Sequence, residues 1–357
     1  MYVLLENRYK GVLIILKPFE YNGHWSWGYM CLKILVSGIL ALIILTLLCK
    51  IYDDPPQHHI NLDGVTDRIF APYRRYFCFQ EGFSVGKTNN EGYNNTFDFE
   101  KGMSLDVLLM GSSHMEAFGV MQDENTANLL GEFANERVYN IGVSGHFFPT
   151  CASNLKAALR KYAPSKFVII EIMNLSFTDE TFASIINHTF PHIDGAVGTR
   201  NPLREFMREN PYIYRAYLNI FHFLPNKFPT QDYSSFSQNN PELLAKVLAQ
   251  MSDTLSQSKS GAKLIIAYHP PVSLNLDGSL KIESDPQVSR QFSELCEQNG
   301  IYFLDMSERF LSEYAKDYTL PYGFINTSVA SGHLNRYGHR MFAEEIYKLM
   351  QRIEAQS

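Results

Sequence analysis

The chain has 357 residues, 45% hydrophobic and 19% charged, with 37 Asp+Glu against 31 Lys+Arg and a formal charge of −6. Such proportions exclude a disordered tail or a collagen-like fibre, and the lack of a basic stripe argues against nucleic acid as a partner. Its five cysteines form no C-x-x-C pair, so neither a four-cysteine zinc site nor a disulfide framework can be read from their spacing.

The first predicted element is a membrane span. Ile34–Cys49 is uncharged and lies between Lys33 and Lys50, whose ammonium groups can snorkel to the interface. Counted as residues 30–52, the span has 23 residues, enough to cross a bilayer. Arg8, Lys10, Lys17 and Lys33 precede it, whereas residues 51–65 contain no Lys or Arg. The positive-inside rule therefore places 1–29 in the cytoplasm and everything after Tyr52 outside it. No small-residue cleavage site follows the run, so an uncleaved anchor is expected, with Met30 as an alternative start.

Residues 53–103 read as a juxtamembrane linker and lead-in, with Pro55-Pro56, a solvated His58-His59 pair and a polar stretch from Lys87 to Thr96. Inside it, Gly82 to Thr88 resembles a phosphate-binding loop but is one residue short. It lacks both the entering strand and the departing helix that such a loop needs.

From residue 104 to 357, strand and helix patterns alternate. Buried strands are expected at Leu105–Met110, Val138–Ile141, Phe167–Ile172, Leu264–Tyr268 and Ile301–Leu304. Helices are expected at Glu124–Ala134, Cys151–Tyr162, Pro241–Ser256, Gln287–Gln298 and Arg336–Arg352. The alternation predicts an α/β domain, three-layer αβα, with about five parallel strands covered on both faces. Residues 175–262 are too long for one crossover and read as an insertion, a lid or helical subdomain with an aromatic segment at Pro211–Phe223. In it, His188 and His192 stand four apart, but Pro191 breaks the helix that would align them on a metal. Neither a metal nor a cofactor is expected. Four sequons, at Asn94, Asn174, Asn187 and Asn326, matter only in a glycosylating compartment.

In a parallel sheet the carboxyl ends of the strands form the binding crevice. The first strand ends in Gly111-Ser112-Ser113-His114, which presents a hydroxyl at that edge. The second ends in Gly142-Val-Ser-Gly145, where the Gly145 N–H can approach a reacting carbonyl oxygen. Strand three ends in Glu171-Ile-Met-Asn174, placing an amide donor there. Ser331-Gly332-His333 precedes the last helix, so His333 can serve a serine as general base. His114 and His269, at strand ends, read as structural, with a lesser substrate-contact reading for His269.

These four blocks, in this order, resemble the SGNH/GDSL hydrolase superfamily, from about Asp106 to the end of the last helix with 175–262 unmatched. The resemblance implies a flavodoxin-like fold with Ser113 as nucleophile, Gly145 and Asn174 in the oxyanion hole and His333 as base. The approach Asn89 to Tyr93 resembles the lead-in of membrane-anchored members that modify cell-envelope polysaccharide. Two departures stand out: Asn174 lies in Ile-Met-Asn-Leu rather than Gly-x-Asn-Asp, and the usual Asp three residues before the histidine is Ala330. Three arrangements remain open: a Ser–His dyad held by a backbone carbonyl, another acid such as Asp305, or an inactive relative that only binds glycan. The expected function is an extracytoplasmic esterase or O-acyltransferase acting on O-acetylated cell-surface carbohydrate. A transferase would need a polytopic membrane partner to deliver its acyl donor. The alternative is a glycan-binding or scaffolding component of an envelope-polymer assembly.

Overall fold

The computed structural model describes residues 27–51, 57–58, 69–78, 81–188 and 240–356. Residues 1–26, the aromatic segment 211–223, His192 and Thr189 of the third sequon lie outside them, as does most of the expected lid. Helix α1 spans Trp27–Ile51, three residues ahead of the expected start. Its residues 27–48 are long and apolar enough to cross a membrane, and none of this stretch is buried against the rest of the chain.

Short strands β1 (Gln57–His58) and β2 (Ile69–Phe70) pair antiparallel, and β3 (Arg75–Cys78) forms a hairpin with β4 (Ser84–Lys87). The supposed phosphate loop is thus the second arm of this hairpin. Residues 69–78 and 81–103 include side chains packed into the domain: Thr88, Asn89, Asn94 and Asn95 are all buried. An asparagine amide offers a donor and an acceptor, as a peptide group does, so it can cap an open sheet edge. Asn95 does this for Asn140, donating to its carbonyl and accepting its N–H, each at 2.8 Å. Asn94 donates to the Glu116 carbonyl at 2.8 Å and accepts from the Tyr76 hydroxyl, so its sequon is closed to a glycan.

The domain continues through β5 (Val107–Met110), α2 (Ser113–Glu116), α3 (Thr126–Ala134), β6 (Val138–Asn140), α4 (Phe148–Tyr162) and β7 (Phe167–Ile172). Helices α5 (Asp179–Ile186) and α6 (Pro241–Ser256) lead to β8 (Lys263–Tyr268), followed by the hairpin β9 (Val272–Leu274) and β10 (Leu280–Ile282). The chain closes with α7 (Pro286–Gln298), β11 (Tyr302–Asp305), α8 (Ser307–Asp317) and α9 (Arg336–Ala355).

The main sheet has five parallel strands in the order β11-β8-β7-β5-β6. Numbered along the chain this is 2-1-3-4-5, the flavodoxin-like order, whose switch point lies between the first and third strands. Side-chain alternation along each strand separates two cores. Leu108, Met110, Val168, Ile170, Leu264 and Ile266 face α4–α7, while Val107, Leu109, Ile169, Ile265 and Ala267 face α3, α8 and α9. Phe182 and Ile185 of α5 and Leu244, Val247 and Leu248 of α6 belong to the first of these cores. The described parts of the expected insertion therefore form one layer of the domain.

Candidate active site

The site lies at the carboxyl end of β5, beside the switch point. Ser112 caps α2, its Oγ accepting the His114 N–H at 3.3 Å, and Ser113 becomes the first helical residue. A first-turn N–H has no partner within its own helix. Among the described residues the Ser113 N–H has none elsewhere either. His333 sits two residues before Asn335, which caps α9 by accepting from the Tyr337 and Gly338 N–H groups. Although 220 residues apart, Ser113 Oγ and His333 Nε2 stand at 2.7 Å.

The other imidazole nitrogen has a carboxylate partner other than Asp305. His333 Nδ1 meets the Glu81 carboxylate, which also accepts the His333 backbone N–H at 3.3 Å. Glu81 comes from the turn before β4, in the lead-in. Two bonds between Gly82 and Asn326 tie that turn to the histidine loop. Gly332, at φ +86°, completes the fit, because a Cβ there would stand 2.7 Å from Glu81 Oε1. Asp305 is engaged elsewhere, accepting from the Ser289 hydroxyl and from Ser307 N–H and Oγ. Ala330, where the resemblance would put an aspartate, is buried in the second apolar core with φ +57°. A carboxylate there would enter that core, a costly place for a charge. The partner of His333 Nδ1 in the structure is thus the Glu81 carboxylate, neither a backbone carbonyl nor Asp305.

Charge follows this geometry. Burial alone pushes the Glu81 carboxyl up, but the hydrogen bonds and charge of His333 outweigh it and hold the carboxyl below its usual range. Burial likewise pushes His333 down, and the Glu81 hydrogen bond and charge, helped by Glu116 and Glu171, leave it raised. The Glu81 bond puts the imidazole proton on Nδ1, so the Nε2 lone pair faces the serine. This arrangement can take the hydroxyl proton and stabilise the imidazolium that results.

Gly145 stands at φ +87° with open space on its Cβ side, and its N–H has no acceptor among the described residues. Its turn is held by Glu116, which accepts from Ser144 N–H and Oγ. Asn174 is exposed and folded on itself in an Asx-turn. Its amide donates to the Ser176 carbonyl at 3.0 Å, and its Oδ1 accepts the Ser176 N–H. No hydrogen bond joins Asn174 to Ser113 or His333.

Beneath the serine lies a buried polar layer in which His269, read as structural from the sequence, meets Glu171, for which no role could be read there. Glu171 accepts from Ser112 N–H at 2.7 Å and from Ser112 Oγ at 3.0 Å. Its other oxygen meets His269 Nε2 at 2.5 Å, and His269 Nδ1 meets the Tyr322 hydroxyl at 2.7 Å. A carboxylate inside the otherwise apolar strand Phe167–Ile172 was the available signal for this layer. For Glu81 there was none, since its partner is 252 residues away.

The parallel sheet in the order 2-1-3-4-5, with Ser113 after its first strand and His333 before the last helix, is the arrangement that the resemblance to SGNH hydrolases implies. No family model and no curated protein matches the chain. Solved structures similar to it include a psychrotrophic esterase from Pseudoalteromonas sp., at TM-score 0.38 and 16% identity over 71% of this chain and 100% of that one. Another is a provisionally named arylesterase from Agrobacterium tumefaciens, at TM-score 0.37 and 14% identity over 70% and 100%. A third is a salicylyl-acyltransferase of a tetracycline biosynthetic pathway, at TM-score 0.37 and 10% identity over 71% and 57%.

Proposed function

We propose that the protein is a serine esterase or O-acyltransferase that works through Ser113, His333 and Glu81. The observation that carries this reading is the continuous line from Ser113 Oγ to His333 Nε2 and from His333 Nδ1 to Glu81. Ser113 Oγ attacks the carbonyl carbon of an O-acyl ester while His333 Nε2 takes its proton. The tetrahedral oxyanion accepts from the Ser113 and Gly145 N–H groups, with the Asn174 amide as a third donor if its turn opens. Collapse expels the alcohol, which leaves with the proton from His333. Water, or a sugar hydroxyl in a transferase, then takes the acyl group by the same steps reversed.

In this reading α1 anchors the domain and the charge asymmetry places it outside the cytoplasm, where O-acetylated cell-surface carbohydrate is the substrate class. A transferase would draw its acyl group from a polytopic membrane partner. The scaffold alternative drew its support from Ala330, and a carboxylate already on His333 Nδ1 removes that support. The test is a phosphonate ester probe with the full-length protein in detergent. Adduct formation at Ser113, lost in Ser113→Ala together with acetyl-ester cleavage, is the expected result. An unlabelled, inactive parent that still binds O-acetylated glycan returns the scaffold reading.

A further inference from the structure

Directly after the nucleophile, His114 is buried and joins the two halves of the site. Its backbone N–H donates to Ser112 Oγ, beside Ser113. Its ring Nδ1 accepts the N–H of Leu334, the residue after His333, at 3.2 Å. The ring packs against His333 at 4.9 Å between centroids, against His269 at 4.7 Å and against Tyr322 at 6.0 Å. A backbone N–H can only donate, so Nδ1 must carry the lone pair and Nε2 the proton. Burial holds His114 in this uncharged form, and neighbouring His269, His333 and His339 push its pKa further down.

We propose that His114 is a positioning residue that sets the separation of Ser113 and His333, through its Nδ1 bond to the Leu334 N–H. The inference rests on the reading of Ser113 and His333 as the reacting pair. Nucleophile and base come from opposite ends of the domain, and His114 is one side chain rooted in the first and bonded to the second. Leu334 is itself buried, so its N–H, left without an acceptor, would pull the loop toward another partner and take His333 with it. A displacement of about 1 Å at the reacting atoms costs on the order of 10²-fold in rate.

The test compares two polar replacements of similar bulk. In His114→Asn the side-chain oxygen stands where Nδ1 does and can accept the Leu334 N–H. In His114→Gln the amide reaches the Nε2 position instead. Full-length proteins in detergent are assayed with 4-nitrophenyl acetate for kcat and KM, and their thermal midpoints are recorded. The Asn variant should keep kcat within about fivefold of the parent while Gln falls on the order of 10²-fold, with KM nearly unchanged in both. Equal kcat for Asn and Gln in an active, folded background overturns the proposal, as does a loss that appears in KM alone. If the Gln variant does not fold, the Asn variant decides: a folded Asn protein with kcat down by the full amount overturns it. A parent that neither turns over ester nor labels at Ser113 overturns the Ser113 reading, and this inference falls with it.

Discussion

Replacing Glu81 tests the corrected acid most directly, and the structure ranks the replacements. In Glu81→Gln the amide can turn its NH₂ toward His333 Nδ1 and donate there, which forces the imidazole proton onto Nε2. That nitrogen then faces Ser113 Oγ as a donor, and the base is lost. An acid-to-amide change in a fully buried triad costs about 10⁴-fold in kcat. Here the Glu81 and His333 side chains are 31% and 41% exposed, so water can restore part of the correct tautomer. The expected loss is therefore smaller, on the order of 10³-fold. Glu81→Ala removes the acceptor without supplying a wrong donor, so it should retain more activity than Gln, and added formate should recover part of the rest. Because Glu81 raises His333, the acid limb of kcat/KM in the Ala variant should move to lower pH. Steady-state rates on 4-nitrophenyl acetate from acid to neutral pH read both effects. Glu81→Gln and Glu81→Ala both within about threefold of the parent, against a triad cost near 10⁴, would refute the assignment. So would an acid limb that moves up.

Ala330→Asp, which would supply the residue that the SGNH resemblance implies, should bring no gain in rate. It should lower stability by about 1–3 kcal/mol, because the new polar group enters an apolar core at a left-handed backbone position. A faster enzyme with an unchanged melting midpoint would contradict this. Asn95→Ala should strip partners from the N–H and C=O of Asn140, at about 1–3 kcal/mol for each buried group left unsatisfied. Thermal melts in detergent read this loss, and an unshifted midpoint would show that the lead-in does not support the sheet edge. A reporter active only in the cytoplasm, fused after Ser357, should stay silent, and a strong signal would reverse the proposed orientation.

What the sequence by itself determined is what local pattern encodes. Strand Phe167–Ile172 and helix Pro241–Ser256 lie at their expected bounds, and the other main strands fall within two residues of theirs. Continuous apolar runs and the 3.6-residue period are properties of neighbouring residues, so they are legible without the fold. Ser113 and His333 stand at a strand end and before a helix start that the same patterns mark, and folding brings their side chains together. The tertiary structure alone shows which carboxylate meets His333 Nδ1. Glu81 lies in the segment 53–103 that reads as linker and lead-in, and its contact with His333 spans 252 residues. The burial of Asn89, Asn94 and Asn95 is likewise visible only in the fold. Polarity in sequence reports an average preference for water, whereas a side-chain amide set against an open strand edge meets the hydrogen-bonding needs of both and is buried. His114 and Glu171 belong to this second kind of information. Their residue types suggest chemistry or packing equally, and only the partners that folding brings to Nδ1 and to the carboxylate give them a function to test.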